Sequence, residues 1–241
     1  MQCTVVIPTF RDARIAQSLD SIASQKNVQL EVVIVDGANE PASFHSFHSL
    51  PSYPFPITFI HEKDNGVYDA MNKGIAAAKG EWIYLLGSDD ILASENTLSN
   101  LISRGLQATL VFGNVENTGL SHSATTKIHI PSFPHGMIWK HTLHQQGVLY
   151  RSSLFQERNF NTTYKILGDY EFHFHLKNKN VKAEYVNETV ARCDANGLSK
   201  RYVWKLYKEE IRLKNEYLNA VQMLIVVPFI VSKYLFKRLT A

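Results

Sequence analysis

Leu30-Glu31-Val32-Val33-Ile34-Val35-Asp36-Gly37 is an apolar, β-branched run that stops at two turn-forming residues. Such a run reads as a buried strand. Upstream, Thr4-Val5-Val6-Ile7 is a run of the same kind, closed by Pro8, and suits a strand covered on both faces. Between the two, Ile15, Leu19, Ile22 and Ala23 fall at helical spacing. Downstream, Ile57 to Ile60 follows a Pro- and Ser-rich loop at 41–56. Tyr68 to Lys79 then carries Ala70, Met71, Gly74, Ile75 and Ala78 on one helical face before Gly80. Trp82 to Leu86 is a fourth strand-like run, stopping at Gly87. This alternation predicts an α/β fold, a mostly parallel sheet sandwiched by helices.

In such sheets, ligands bind beyond the carboxyl ends of the strands. Acids gather at those ends here: Asp36 after the second run, Glu62 and Asp64 after the third, Asp89 and Asp90 after the fourth. Any one of them is ordinary in a turn or cap; acids at three ends together predict a shared site. Carboxylates without a Cys or paired-His set suit a hard cation, Mg2+ or Mn2+, with substrate phosphate oxygens completing the sphere. Neither a Gly-x-x-x-x-Gly-Lys-Ser/Thr loop nor a Gly-x-Gly-x-x-Gly turn is present, so phosphate would be held through metal.

The second half is less regular. Leu110 to Phe112 reads as a strand, followed by a polar stretch from Gly113 to Lys127, and 121–136 as a loop over the site. His144-Gln145 precedes the apolar run Val148-Leu149-Tyr150, and Leu167-Gly168-Asp169-Tyr170-Glu171-Phe172 opens a helix reaching Leu176. His173 and His175 on that helix read as packing or surface residues.

Charge is distributed unevenly. The net +3 divides into +6 over residues 200–241, with nine Lys/Arg against three Glu, and −3 over residues 1–199. A nucleic-acid-binding body is therefore not indicated. Two cysteines, Cys3 and Cys193, form neither a metal cluster nor a disulfide framework, which suits a reduced cytoplasmic compartment. No secretory signal precedes Cys3 to Pro8, and the sequons at Asn161 and Asn187 read as chance matches.

From Ser199 onward Tyr202, Leu206, Ile211, Leu213 and Leu218 alternate with Lys205, Lys208, Arg212 and Lys214 in a helical pattern. Val221 to Phe236 is then nearly continuous apolar sequence, with Pro228 inside it. Its uninterrupted part, Met223 to Val231, is short of the ~20 residues a bilayer span needs. A basic, apolar-ended tail suits an in-plane helix touching a membrane surface through 221–238. The competing expectation is a helix packed on the domain or on another subunit of a homo-oligomer.

Four segments carry a family resemblance: Val5-Val6-Ile7-Pro8-Thr9-Phe10, Val33-Ile34-Val35-Asp36-Gly37, Asp64 through Gly74 and Gly87-Ser88-Asp89-Asp90. In this order they resemble the motifs of family 2 glycosyltransferases of the GT-A type, strongly over residues 1–115 and more weakly to about 200. The resemblance implies a Rossmann-like glycosyltransferase domain over 1–198. Its nucleotide-sugar half would be 1–115 and its acceptor half 116–198, with 199–241 as a helical appendage. It further implies that Asp36, with Thr9 beside it, and Asp64 contact the donor nucleoside, most commonly of a UDP-sugar. Asn72 and Lys73 would belong to the donor pocket. Asp90 would bind the metal, with Asp89 near it or near the sugar, and His144 would border the donor sugar or acceptor. Many relatives have a carboxylate where this chain has Gly87, so Asp90 carries the metal expectation.

Asp169 is then the expected catalytic base, with Glu171 as the local alternative and helix capping as the bland reading of Asp169. An in-line displacement with such a base inverts the anomeric carbon. No Gln-x-x-Arg-Trp motif is present, which favours addition of one sugar over processive synthesis. The expected acceptor is a glycan, lipid-linked, in bacterial surface polysaccharide assembly, with the enzyme on the inner face of the cell membrane. Two competing functions are a nucleotidyltransferase and a non-catalytic binding module. The first lacks its glycine-rich loop after Pro8, and the second fits poorly with intact Asp36, Asp64, Asp90 and Asp169.

Overall fold

The computed structural model describes residues 2–10, 12, 14–38, 50–118, 127–194 and 203–240. Its strands are β1 Cys3–Thr9, β2 Leu30–Asp36, β3 Ile57–His61, β4 Trp82–Leu85, β5 Ile91–Leu92, β6 Leu110–Thr118, β7 Lys127–His129, β8 Val148–Arg151 and β9 Ala183–Asp194. The helices are α1 Ile15–Ala23, α2 Val67–Ala77, α3 Thr97–Arg104, α4 Ser153–Glu157, α5 Gly168–Asn178, α6 Trp204–Tyr217 and α7 Ala220–Thr240.

All nine strands form one sheet, in the order β3-β2-β1-β4-β8-β6-β9-β5, with β7 paired to β6. The β1–β2, β1–β4, β2–β3 and β6–β9 pairs are parallel, whereas β8 runs antiparallel between β4 and β6. Because side chains alternate across a strand, each run fills two cores. Val5, Ile7, Val32, Ile34, Trp82 and Tyr84 meet Ile15, Leu19 and Ile22 of α1 and Leu98 and Leu101 of α3. Val6, Val33, Val35, Ile83 and Leu85 meet α2, α4 and α5 on the other face. The continuous apolar character of the first strands thus follows from burial on both sides.

Three expectations are corrected. The strand expected at Leu110 to Phe112 continues to Thr118, so Gly113–Thr118 is strand rather than loop, paired with β9 across register shifts at Asn114. The helix expected to reach Lys79 ends at Ala77, and Ala78 is already extended. The apolar tail is one helix through Pro228, not a short run, and Ala220–Leu239 is long and apolar enough to cross a membrane by length and composition. Of the loop expected over the site, residues 121–126 lie outside the described residues.

Helices α6 and α7 form a hairpin. Leu213 of α6 is buried with Met137, Tyr164, Leu167, Tyr170 and Phe174, which seats the hairpin beside α5.

Candidate active site

The carboxyl ends of β1 and β2 place Thr9 opposite Asp36. Asp36 is almost fully buried; its Oδ1 accepts the Ala38 amide at 3.1 Å and its Oδ2 lies 3.0 Å from His61 Nδ1. Asp64 lies across Gly37: a Cβ there would fall 1.6 Å from Asp64 Oδ2. A side chain at position 37 would therefore displace the Asp64 carboxylate from its place over Gly37. Thr9 Oγ1 is buried and has no hydrogen-bond partner among the described residues, an orphaned polar atom beside Asp36. Such an atom is rare in a finished core and suits a ligand that completes it.

A cavity of about 440 Å³ lies beyond the end of β4. Its walls include Gly87 to Asp90, Tyr68, His141, His144, Gln146 and Asp169. Asp90 is buried, and its Oδ2 accepts Gln146 Nε2 at 2.8 Å. Asp89 is more open and pairs with Arg14 at 3.2 Å. Arg14 also grips Asp12 at 2.7 Å and holds that carboxyl below the usual carboxylate range.

A carboxylate at position 87 would stand against Asp90, since a Cβ on Gly87 would lie 2.4 Å from Asp90 Oδ2. The chain therefore brings two carboxylates to this corner, Asp90 and Asp89. Among the described residues no three His, Cys, Asp or Glu side chains form a metal cage. Two hard oxygen donors facing a cavity still fit Mg2+ or Mn2+ if a diphosphate supplies the other oxygens.

Asp169, which lines the same cavity, occupies the first turn of α5. Its Oδ1 accepts the Tyr68 hydroxyl at 2.9 Å, and that hydroxyl also lies 2.8 Å from the Ile166 carbonyl. Gly168 makes room, because a Cβ there would sit 2.7 Å from the Tyr68 ring. Leu167 is the N-cap of α5, without a side-chain cap bond, so Asp169 is not the capping residue.

Glu171 takes another direction. It is fully buried, paired with Arg158 at 2.7 Å and bonded to the Tyr217 hydroxyl of α6. Burial raises its pKa, and it does not line the cavity.

Behind Asp169 stands a histidine pair. His141 Nε2 is 3.7 Å from Asp169 Oδ2 and 3.3 Å from His173 Nδ1; His173 Nε2 is 2.6 Å from the Tyr150 hydroxyl. Burial lowers the pKa of all three nearby histidines: that of His141, that of His144 to about 4, and that of His173 to about 3. They are neutral at pH 7. His144 lines the cavity with its Nδ1 buried and unpartnered, so it offers a neutral ring to whatever enters.

Of the residues expected on the donor side, Thr9, Asp36, Asp64, Asn72 and Lys73 are not among those lining the cavity, whereas Asp89, Asp90 and His144 are. The Asn72 amide donates to the Phe160 carbonyl at 2.9 Å and accepts the Phe160 amide at 3.0 Å. Lys73 donates to the Lys63 carbonyl at 2.7 Å and pairs with Glu62 at 3.0 Å, which ties down the loop bearing Asp64.

Four residues that the sequence reading passed over sit at the site or hold it: Tyr68, His141, Gln146 and Glu209. Glu209 of α6 accepts three successive amides, Lys165, Ile166 and Leu167, at 2.9–3.1 Å, and so holds the loop that leads into Asp169. The only signal for Gln146 was its place after His144-Gln145; nothing local marks the others.

Residues 4–182 match the model of glycosyl transferase family 2. The chain belongs to that family. This family 2 glycosyltransferase is 28% identical over 218 residues to the PGL/p-HBAD biosynthesis glycosyltransferase of Mycobacterium bovis, covering 86% of this chain and 83% of the relative. It is 31% identical over 102 residues to the succinoglycan biosynthesis protein ExoO of Rhizobium meliloti, 42% of this chain and 29% of that one. Among solved structures it is similar to S. aureus TarS 1-349 in complex with UDP-GlcNAc, with a TM-score of 0.69 and 16% identity, over 94% of this chain and 70% of that one. It is also similar to the mannosyltransferase PcManGT from Pyrobaculum calidifontis in complex with GDP-Man and Mn2+, with a TM-score of 0.64 and 18% identity, over 100% and 75%. At these identities the structural likeness speaks for the fold, which is of the GT-A type.

Proposed function

We propose that this glycosyltransferase moves a single sugar from a nucleotide sugar, with UDP as the nucleotide, onto a lipid-linked glycan acceptor, inverting the anomeric carbon. The setting is bacterial surface polysaccharide assembly at the inner face of the cell membrane. One observation carries the reading. One cavity is lined by Asp89 and Asp90 and also by Asp169, which is held by Tyr68.

The division of labour follows from the chemistry. Thr9, Asp36 and Asp64 are the nucleoside side, where the orphaned Thr9 hydroxyl supports a bound partner. Asp90, with Asp89, would hold Mn2+ or Mg2+ against the diphosphate, and the ion would supply charge neutralisation of the leaving group. Asp169 takes the proton of the acceptor hydroxyl as its oxygen attacks the anomeric carbon; the bond to the diphosphate oxygen breaks on the opposite face. A positioned base of this kind contributes ~10²–10⁴-fold. Tyr68 fixes the carboxylate, and neutral His144 borders the sugar or acceptor. The UDP-GlcNAc of TarS and the GDP-Man and Mn2+ of the mannosyltransferase support a nucleotide-sugar donor and manganese. In this reading Asn72 and Lys73 support the donor pocket from behind rather than touching the donor.

The test is Asp169→Asn. It should fold, bind nucleotide with Mn2+ and lose transfer. Near-normal turnover would remove Asp169 from this role. A thermal-shift screen of UDP-, GDP- and dTDP-sugars with Mn2+ identifies the donor, and stabilisation by GDP- or dTDP-sugars alone would overturn UDP.

A further inference from the structure

Helix α7 carries its apolar side outward. One stripe of it faces α6: Val226 and Ile230 are buried against Tyr207, and Lys233 of the same stripe pairs with Glu210 at 2.6 Å. Glu210 also takes Lys214, at 2.8 Å. The outer stripe bears Val221, Leu224, Ile225, Leu235, Phe236 and Leu239, each 52–86% exposed. The most apolar window of the helix, of mean hydropathy 1.5, is only 11% buried. A helix that closes a water-soluble domain has the opposite arrangement, and a contiguous apolar surface of this kind marks an interaction site.

The chemistry around the stripe selects the partner. Residues 203–240 hold seven Lys/Arg and three Glu. All three glutamates are engaged: Glu209 by backbone amides, Glu210 by lysines, Glu216 by Tyr164 and Arg212. Lys205 and Lys208 of α6 and Arg238 of α7 are exposed. Trp139, half exposed, meets Phe229 edge-on at 5.5 Å, and Trp204 lies against Tyr234 at 4.9 Å. An apolar stripe on a net-basic hairpin with nearby tryptophans matches an anionic lipid surface. A second copy would match the stripe but would set one basic hairpin against another.

The helix is about 31 Å long, enough to span. It nevertheless packs side-on along α6 from Val226 to Tyr234, and standing it across a bilayer would draw the Glu210–Lys214–Lys233 cluster in with it.

We propose that the outer stripe of α7 lies in the plane of an anionic membrane and presents the Asp169 wall of the cavity to that surface. The same hairpin reaches the site twice: through Ile138 and Trp139, two residues from His141, and through Glu209 on the loop before Asp169. The inference deepens the lipid-linked acceptor reading, but its test needs no transfer.

The full chain is sedimented with vesicles of phosphatidylcholine alone or with phosphatidylglycerol. Binding to the second set only, weakened by salt and released by an alkaline wash, is expected. Leu224→Ser/Ile225→Ser/Leu235→Ser should lower partitioning by about a hundredfold while transfer to a soluble acceptor stays at the wild-type rate. Three results overturn the proposal: no vesicle binding, unchanged binding of the triple variant, or retention through the alkaline wash, which assigns a spanning helix. A wild-type dimer in light scattering that the triple variant dissolves assigns the stripe to a second copy and overturns it too. Asp169→Asn should bind vesicles like wild type, so a failure of the catalytic reading leaves this result distinct.

Discussion

The Tyr68 hydroxyl and Asp169 Oδ1, 101 residues apart in sequence, are 2.9 Å apart in space. This bond joins α2, which packs on β1 and β2, to α5, which carries the carboxylate. Tyr68→Phe removes the only hydroxyl bonded to Asp169 among the described hydrogen bonds while keeping the ring against Gly168. The expected effect is a fall in kcat of about tenfold, with little change in KM and stability within ~1 kcal/mol. Steady-state kinetics and chemical denaturation measure both; an unchanged kcat would show that Tyr68 only packs.

At the Asp89-Asp90 corner the two acids should separate. Asp90→Asn should raise the Mn2+ concentration needed for half-maximal rate by more than Asp89→Asn, because Asp90 is the buried member of the pair at the cavity wall and Asp89 the more open one. Gln146→Ala, which removes the amide donated to Asp90 Oδ2, should shift the same titration by about tenfold. Equal effects of Asp89→Asn and Asp90→Asn would contradict this assignment.

Glu171 and Asp169 are two residues apart and should fail in different ways. Glu171→Ala strands Arg158 and the Tyr217 hydroxyl between α5 and α6, at a cost of about 3 kcal/mol in urea unfolding. Its turnover per folded molecule should remain near wild type. Asp169→Asn should do the reverse.

The buried histidines give a pH dependence of stability. His141, His144 and His173 have folded pKa values below the ~6.5 of an unfolded histidine. Below pH 6.5 the unfolded chain therefore binds protons that the folded chain does not, and stability falls as pH drops toward 4. The expected slope is about 1 kcal/mol per pH unit for each of His144 and His173, with His141 acting in the same direction. Melting temperature should be flat from pH 7 to 8 and decline from 6.5 to 5, with a shallower decline for His144→Gln.

β1, β2 and β4 and the acids that follow β2, β3 and β4 were legible because their signals are local: apolar runs buried on both faces and closed by Pro8, by Asp36-Gly37 and by Gly87, with the edge strand β3 only partly buried. β9 was not legible. Its buried residues, Val186, Val190, Ala191 and Cys193, break the two-residue period where its pairing with β6 shifts register. Asn72 and Lys73 carried a family motif into the donor pocket, yet their side chains are spent on Phe160 and on the loop at Lys63. Glu209 was hidden for another reason. A glutamate among lysines on an amphipathic helix looks like a solvated charge, and its three amide partners lie more than 40 residues upstream.

That glutamate makes the C-terminus part of the enzyme rather than baggage behind it. Composition changes near Ser199, and a protein engineer would cut there to obtain a smaller catalyst. The cut would release Lys165, Ile166 and Leu167 from their shared acceptor and leave the loop that leads into α5 and Asp169 untethered. A shortened enzyme would then be inactive without having lost any residue that touches substrate, and its inactivity would be mistaken for a need for lipid.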